Sequence, residues 1–437
     1  QTMFTRSRKN GGFRETLVIY QGKQHFAEAV KKFLKFIKHI QNISPLPAPE
    51  WAFKPVWCSW YSHLYKFTQS DLEEQIPFLK KLGIGTVLVD ASWFQSSCTG
   101  VGCINESGEY AMNKDMFPDF KGLAKKIHEA GLKLMLWCAP MQIGKRSRIR
   151  KRMEPYCVLK GQERTIVLCP FCKESKDHAR KNVERMMRDY ELDGIKLDFI
   201  DQGGAECNDP AHDHGDGNTG AAVIDFLKYI RDGILKVKPD AVIEYRIRYS
   251  TPSTLPLANC HRGNDSPFDS DYIRRENLFL RLFCEYPSAV WSDYAYWHRN
   301  EKPENVSLML GSQIFSGGVP TLSVDLPKCS STQLAIIKRW MKFYLEHSVS
   351  LAKAELIVNS ADSIMSTASL LNQKDSIAYT MLSGQHIPAK IKIKYGIKEI
   401  WIFNASAEKS GEMEIMSGKR SIRVKISGRI PFLVKMK

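Results

Sequence analysis

The chain has 437 residues, of which 43% are hydrophobic, 11% aromatic and 25% charged, with 28 Gly and 20 Pro. This ordinary globular composition excludes collagen-like, low-complexity and wholly disordered classes, and the length predicts more than a single small domain. No apolar run approaches the ~18 residues of a membrane span, while the net charge of +16 points at first to a polyanion partner.

The distribution of that charge argues otherwise. Residues 1–54 hold 10 Lys/Arg against 3 Asp/Glu, and residues 386–437 hold 12 against 4, so the chain between them is close to neutral. Nucleic-acid readers concentrate basic residues around the working motif; here the excess reads as solvated faces on flanking elements, and no nucleic-acid partner is expected. The chain opens at Gln1 with a polar, basic stretch lacking the apolar core of a signal peptide, which reads as a fragment or processed product. Eleven Cys, an odd number with no small-domain framework, define no compartment.

In chain order, Glu15–Gly22 (ETLVIYQG) reads as the end of a strand. His25–Gln41 places Phe26, Val30, Phe33, Leu34, Ile37 and Ile40 on one stripe, with Lys31, Lys32, Lys35 and Lys38 elsewhere, the pattern of a core-facing helix rather than a membrane-surface one. Ser44–Pro49 (SPLPAP) reads as a linker. From Pro55 short apolar runs alternate with helical patterns. The runs are Val56–Trp60, Gly85–Asp90, Leu132–Trp137, Gly194–Ile200, Ala241–Arg246, Leu257–Asp265, Ala289–Asp293 and Thr321–Asp325. The helices between and after them are Ser70–Leu82, Phe120–Ala130, Lys176–Tyr190, Ala221–Val237, Asp271–Phe283, Pro303–Ile314 and Ser331–Glu346, the first with Ser70 as N-cap and Glu73 at capping-box spacing. Apolar strands alternating with helices predict a parallel sheet, and eight such units predict an α/β fold with a closed (β/α)8 barrel. After about Leu351 the rhythm changes to short strands at Ser376–Leu382, Ile391–Lys394, Ile397–Phe403, Met413–Met416, Ile422–Ile426 and Pro431–Val434, which read as an antiparallel β-sandwich domain. The expected division is 1–54, 55–351 and 352–437.

In such a barrel the working residues lie at the C-terminal ends of the strands. Those ends carry Trp60, Asp90 with Trp93, Trp137, Lys196 with Asp198, Arg246, Arg262 with Asp265, Asp293 and Asp325. Indole platforms with convergent carboxylates suit a sugar, whose C–H face stacks on a ring while its hydroxyls need polar partners. No Gly-rich phosphate loop follows a strand and no HExxH occurs. Glycoside cleavage needs two carboxyl groups flanking the scissile bond, and Asp198 with Asp265 is the best pair. Lys196, two residues before Asp198, points to the same side of its strand and favours the ionised carboxylate; Arg262 can fork onto a hydroxyl or orient the acid. Each acid taken alone is accounted for by capping a following helix, but the Lys-x-Asp pair with an Arg-bearing loop is not.

At these residues the sequence resembles the melibiase-type α-galactosidases and their relatives, the α-N-acetylgalactosaminidases and raffinose synthases. The resemblance rests on VWCSWY at Val56–Tyr61, VLVDASWF at Val87–Phe94, the Gly108–Pro140 segment ending in LKLMLWCAP, DGIKLDFID at Asp193–Asp201 and HRGNDSPFD at His261–Asp269, and it spans roughly Pro55–Leu351. It implies Asp198 as nucleophile, Asp265 as general acid/base, and Asp90, Trp93, Trp137, Lys196 and Arg262 as ligands of the sugar; Trp60 and Arg246 join them from their strand ends. It further implies a retaining double displacement on an oligosaccharide or glycoconjugate with no cofactor, and residues 1–54 as the tail of an N-terminal β domain with its linking helix. The sequence departs from the family at Asp90-Ala91-Ser92-Trp93, where paired acids stand in relatives, and at Glu244-Tyr245-Arg246-Ile247-Arg248, where relatives carry a Cys/Gly-rich motif. A raffinose-synthase-type transglycosylase and a catalytically silent sugar-binding barrel are the competing readings.

Cys169 and Cys172 form a C-x-x-C, and Cys207, His212 and His214 follow Asp198 in a Gly-rich loop. Together they offer zinc ligands, yet the spacing matches no standard zinc module and no metal ligand is assigned. Cys98 and Cys103 are spaced for a short disulfide, Met186 and Met187 read as helix core, and Tyr294, Tyr296 and Trp297 read as aglycone platform or packing.

Overall fold

The computed structural model describes residues 25–91, 93–94, 104–159, 165–204, 207, 209–215 and 217–436. The strand read at Glu15–Gly22, Ser92 and the Cys98–Cys103 pair lie outside the described residues.

Helix α1 (Phe26–Ile40) leads to β1 (Val56–Cys58), α2 (Trp60–His63), α3 (Gln69–Leu82), β2 (Thr86–Val89), α4 (Phe120–Glu129) and β3 (Lys133–Cys138). An excursion follows: β4 (Gln142–Gly144), α5 (Arg150–Met153), β5 (Cys157–Leu159) and β6 (Thr165–Leu168). The alternation then resumes through α6 (Lys173–Asp189), β7 (Gly194–Leu197), α7 (Thr219–Val237), β8 (Val242–Arg246), β9 (Cys260–Arg262), α8 (Ser270–Phe283), β10 (Ala289–Trp291), α9 (Pro303–Phe315), β11 (Thr321–Leu322) and α10 (Ser331–Lys353).

The eight strands expected from the apolar runs form one parallel sheet in the order β10-β9-β8-β7-β3-β2-β1-β11. Its two ends meet through parallel bridges between Trp291 and Val319 and between Ala295 and Leu322, which closes the barrel. Strands covered by helices on the outside and by packed side chains on the inside are apolar throughout, and β1, β2, β7, β8, β9 and β10 are buried at every position. Strands β4, β5 and β6 make a separate antiparallel sheet between β3 and α6, which the sequence reading did not include.

Helix α3 starts earlier than its sequence suggested. Thr68, not Ser70, is the N-cap: its hydroxyl accepts from Asp71 N at 3.3 Å while the Asp71 carboxylate accepts from Thr68 N at 2.8 Å. Glu73 instead accepts from Gln69 and from Lys126 of α4, at 3.0 and 2.9 Å. At the other end Gly83 takes φ +75°, the left-handed C-cap conformation that favours glycine. On α1, Leu34 is buried and Phe26 packs against Phe279 of α8 with centroids 6.1 Å apart, but Phe33 and Ile40 are exposed; the apolar stripe is wider than the face that α8 covers.

The C-terminal strands are β12 (Glu355–Val358), β13 (Thr367–Asn372), β14 (Ile377–Leu382), β15 (Lys390–Ile393), β16 (Glu399–Asn404), β17 (Ser410–Ser417), β18 (Arg420–Ser427) and β19 (Phe432–Lys435). They form two sheets, β12-β13-β14-β16-β19 and β15-β17-β18. Antiparallel pairing prevails, with parallel pairs at β14–β16 and β15–β17. The larger sheet shares its core with the barrel helices: Phe403 of β16 sits against Phe315 of α9 and Trp340 of α10, with both centroid separations 5.4 Å.

Candidate active site

The C-terminal ends of the barrel strands converge on a cavity of about 120 Å³ lined by Trp60, Tyr65, Asp90, Ala91, Ile104, Trp137, Lys196, Asp198, Phe199, Arg246 and Asp265. A wider cleft of 700 Å³, which includes Lys54 and Asp240, is lined at the opposite end of the barrel by residues preceding β1 and β8. Size therefore does not identify the working cavity, whereas the convergence of acids and bases does.

Asp198 follows β7 directly and is buried. Its Oδ1 accepts from Tyr249 Oη at 2.6 Å, Arg246 Nη2 at 2.7 Å and Phe199 N at 2.8 Å, and its Oδ2 from Trp137 Nε1 at 3.0 Å. Burial pushes the carboxyl up, but the charges of Arg246 and Lys196 and the hydrogen bonds from Tyr249 and Trp137 outweigh it and hold it at about 2. Phe199 has φ +52°, rare for an aromatic residue; the bond from its N–H to Asp198 satisfies the backbone at this turn.

Asp265 lies on the loop after β9, and its side chain is 48% exposed. Its Oδ2 accepts from Arg246 Nη1 at 2.6 Å, and its Oδ1 lies 3.4 Å from Arg262 Nη2. Burial raises this carboxyl too, yet Arg262, Arg246 and Lys196 bring it below the ordinary carboxylate range. Arg246 thus forks across both acids, and its Nε is buried without a partner.

Lys196, on β7, donates to Asp90 Oδ2 at 2.7 Å and lies 5.0 Å from the centroid of the Tyr294 ring. Trp60 stands edge-on to Tyr65 with centroids 5.4 Å apart, and Trp137 stacks on Phe94 at 5.9 Å. Seven of the nine side chains predicted to form the site line this cavity. The other two stand behind it. Trp93 is fully buried among Phe94, Tyr110 and Tyr190 and donates its Nε1–H to Trp137 O at 3.0 Å. Arg262 is also fully buried: it donates Nε–H to Glu244 at 2.8 Å, bonds Asp293, and lies 4.5 Å from the Tyr294 centroid. Burial pushes the Asp293 carboxyl up to about 6, against the pull of Arg262.

Tyr249 is the contributor that sequence reasoning missed. It ends the short turn Ile247–Tyr249 after β8, and its hydroxyl also accepts from Arg246 at 2.9 Å and Phe199 N at 3.0 Å. The three-residue step from Arg246 is the signal; with both side chains on one turn, the tyrosine reaches the same carboxylate.

Residues 18–212 match the family model named Melibiase. That stretch of the chain is similar to the melibiase family. The matched region contains Asp90, Trp137, Lys196 and Asp198, and the resemblance drawn from the motifs is borne out. Among curated proteins, a stretch of 218 residues is 23% identical to the "A type blood alpha-D-galactosamine galactosaminidase" of Flavonifractor plautii and covers 45% of this chain and 19% of that one. A second stretch of 151 residues is 26% identical to the α-galactosidase Mel36A of Lactobacillus acidophilus, covering 32% of this chain and 20% of the relative. The matched stretches thus span about a fifth of each curated relative. Among solved structures, a variant of the GH36 α-galactosidase AgaA of Geobacillus stearothermophilus superposes with a TM-score of 0.71 at 14% identity, covering 93% of this chain and 59% of that one. The α-galactosidase of Thermus thermophilus gives 0.57 at 16% identity, covering 79% and 68%. The fold shared with these structures is therefore a parallel barrel with appended β sheets.

Proposed function

We propose that this chain is a retaining α-glycoside hydrolase that removes a terminal α-linked galactose or a closely related sugar from an oligosaccharide or glycoconjugate. The observation that carries the reading is the pairing of Asp198 and Asp265 at one cavity, with one oxygen of each bonded to the same guanidinium. A single guanidinium fork fits the separation of about 5–5.5 Å used for a covalent intermediate better than the roughly 6.5–9.5 Å that leaves room for an intervening water.

In this reading Asp198, ionised and buried, attacks the anomeric carbon. Asp265, at the open side of the cavity, protonates the departing oxygen and then deprotonates the water that releases the sugar. Lys196 and Asp90 bind hydroxyls, and Trp60 and Trp137 supply apolar faces. While Arg246 holds Asp265 the acid stays ionised, so productive binding moves the guanidinium off Asp265 onto the substrate. The curated relatives name galactosamine and galactose substrates, and the Ala91 and Arg246 departures lie in the cavity wall, where they set the choice between such sugars. All these groups fall within 55–351, the unit assigned to catalysis, with 352–437 as the appended β unit.

The Arg246 clamp also favours a second reading, a sugar-binding barrel without turnover. A panel of aryl α-glycosides separates the two. Release of the aryl group that disappears in Asp198→Ala with the fold intact supports the hydrolase; no release from any member, together with sugar binding, supports the silent barrel. Release that survives Asp198→Ala rejects the assignment of the nucleophile.

A further inference from the structure

A second cluster of reactive side chains lies beside the sugar cavity and takes no part in it. Cys169 follows β6 and opens the turn into α6; Cys207, His212 and His214 belong to the loop between β7 and α7, the same loop that begins at Asp198. Their two sulfurs and one ring nitrogen from each histidine all lie within 4.8 Å of one another. Tetrahedral zinc, with Zn–S near 2.3 Å and Zn–N near 2.0–2.1 Å, sets ligand atoms about 3.3–3.8 Å apart. A contraction of about 1 Å closes the cluster on such an ion.

Two details of hydrogen bonding point to a metal rather than to chance proximity. His212 Nε2 lies 2.6 Å from Pro155 O, and His212 Nδ1 lies 3.1 Å from Cys207 Sγ. A backbone carbonyl only accepts, so Nε2 carries the hydrogen and the Nδ1 lone pair faces the sulfur. That is how a metal-bound histidine is held, with its second nitrogen donating to a carbonyl. His214 Nε2 is buried with no partner, an unsatisfied polar atom whose cost coordination removes. Cys169 and Cys207 are free thiols.

We propose that Cys169, Cys207, His212 and His214 form a structural zinc site. Two thiolates and two imidazoles in a closed set of four suit Zn²⁺ and leave no position for a substrate. Binding releases one proton from each thiol. The ion then ties the β7–α7 loop to the β6–α6 turn and so fixes the wall of the cavity next to Asp198. The site is independent of the reaction proposed above, and a silent barrel carries it equally.

The test is metal content by elemental mass spectrometry on the full chain, purified with reductant and zinc, followed by cobalt substitution. The expected result is one zinc per chain, and for the cobalt form thiolate-to-metal charge-transfer absorption with tetrahedral d–d bands. Cys207→Ser abolishes that absorption, and His214→Ala, a loop substitution checked for fold by circular dichroism, weakens zinc binding at least about tenfold. Folded wild-type chain that retains no zinc and gives no cobalt–thiolate band overturns the proposal. So does zinc content unchanged in both variants, or a Cys169–Cys207 disulfide in protein prepared without oxidant.

Discussion

Arg246 and Asp198 are joined by a hydrogen bond of 2.7 Å from Nη2 to Oδ1, and the other terminal nitrogen of the same guanidinium reaches Asp265 at 2.6 Å. One cation therefore sits between the two acids on which a double displacement depends. It helps keep Asp198 ionised, as the proposed nucleophile requires, but it also keeps Asp265 ionised, which opposes the proton-donor role proposed for it. In the proposed mechanism, turnover depends on how readily the substrate takes Arg246 from Asp265.

Replacing Arg246 by Gln removes one of the charges that depress the Asp265 carboxyl. The proton then binds Asp265 more tightly, its pKa rises, and the basic limb of kcat/KM, which reports the protonated acid of the free enzyme, moves to higher pH. Because the Asp265 side chain is half exposed, solvent screening keeps the shift modest. A pH–rate profile of Arg246→Gln against wild type checks it; an unchanged basic limb separates Arg246 from the acid.

A second acid serves stability. Asp193, at the start of β7, accepts from His128, Lys133 and Lys238 at 2.9 Å each and from Leu134 N at 3.0 Å. Burial raises its carboxyl, but those four partners outweigh burial and hold it well below the ordinary range. A depressed folded pKa contributes stability that is present above the unfolded value of about 3.9 and is lost as pH falls below it toward the folded value. Asp193→Asn is expected to cost about 2–3 kcal/mol at neutral pH, less than a fully buried pair because its three side-chain partners are each about a third exposed, and to flatten the acid side of the stability curve. Urea unfolding at several pH values measures both.

The contact between barrel and β sheet is tight at Gly311 of α9. A β-carbon there stands 2.2 Å from Phe403 Cζ, and Phe403 is fully buried. Gly311→Ala therefore forces the ring or the helix to move and is expected to cost about 1–3 kcal/mol. The denaturation midpoint should fall while KM for an aryl glycoside stays unchanged, since Gly311 lies outside the cavity.

The barrel was legible because its strands are buried on both faces and leave unbroken apolar runs, as in Val87–Val89 and Leu134–Leu136, while polar residues gather at the ends that face the cavity. Strands β4 to β6 were not, since each spans only three or four residues, too short to show a period. Edge strand β12 opens with exposed Glu355, and β13 mixes Thr, Ser and Asn with Leu, so neither carries a clear alternation. Trp93 and Arg262 lie at or near strand ends as Trp137 and Arg246 do, but what separates the pairs is burial: the indole of Trp93 is enclosed by Tyr110 and Tyr190, and Arg262 is neutralised by Glu244 and Asp293. Those partners come from other elements and loops, and only the folded chain brings them together.

The proposed reaction rests on Asp198 as the nucleophile of a retaining enzyme. Incubation with a fluorinated α-galactosyl fluoride, which forms the glycosyl-enzyme faster than water resolves it, followed by peptide mass spectrometry, tests it most directly. One sugar adduct is expected, on the peptide containing Asp198 and absent from Asp198→Ala. Turnover of the reagent with no covalent adduct, or an adduct on any other residue, contradicts it.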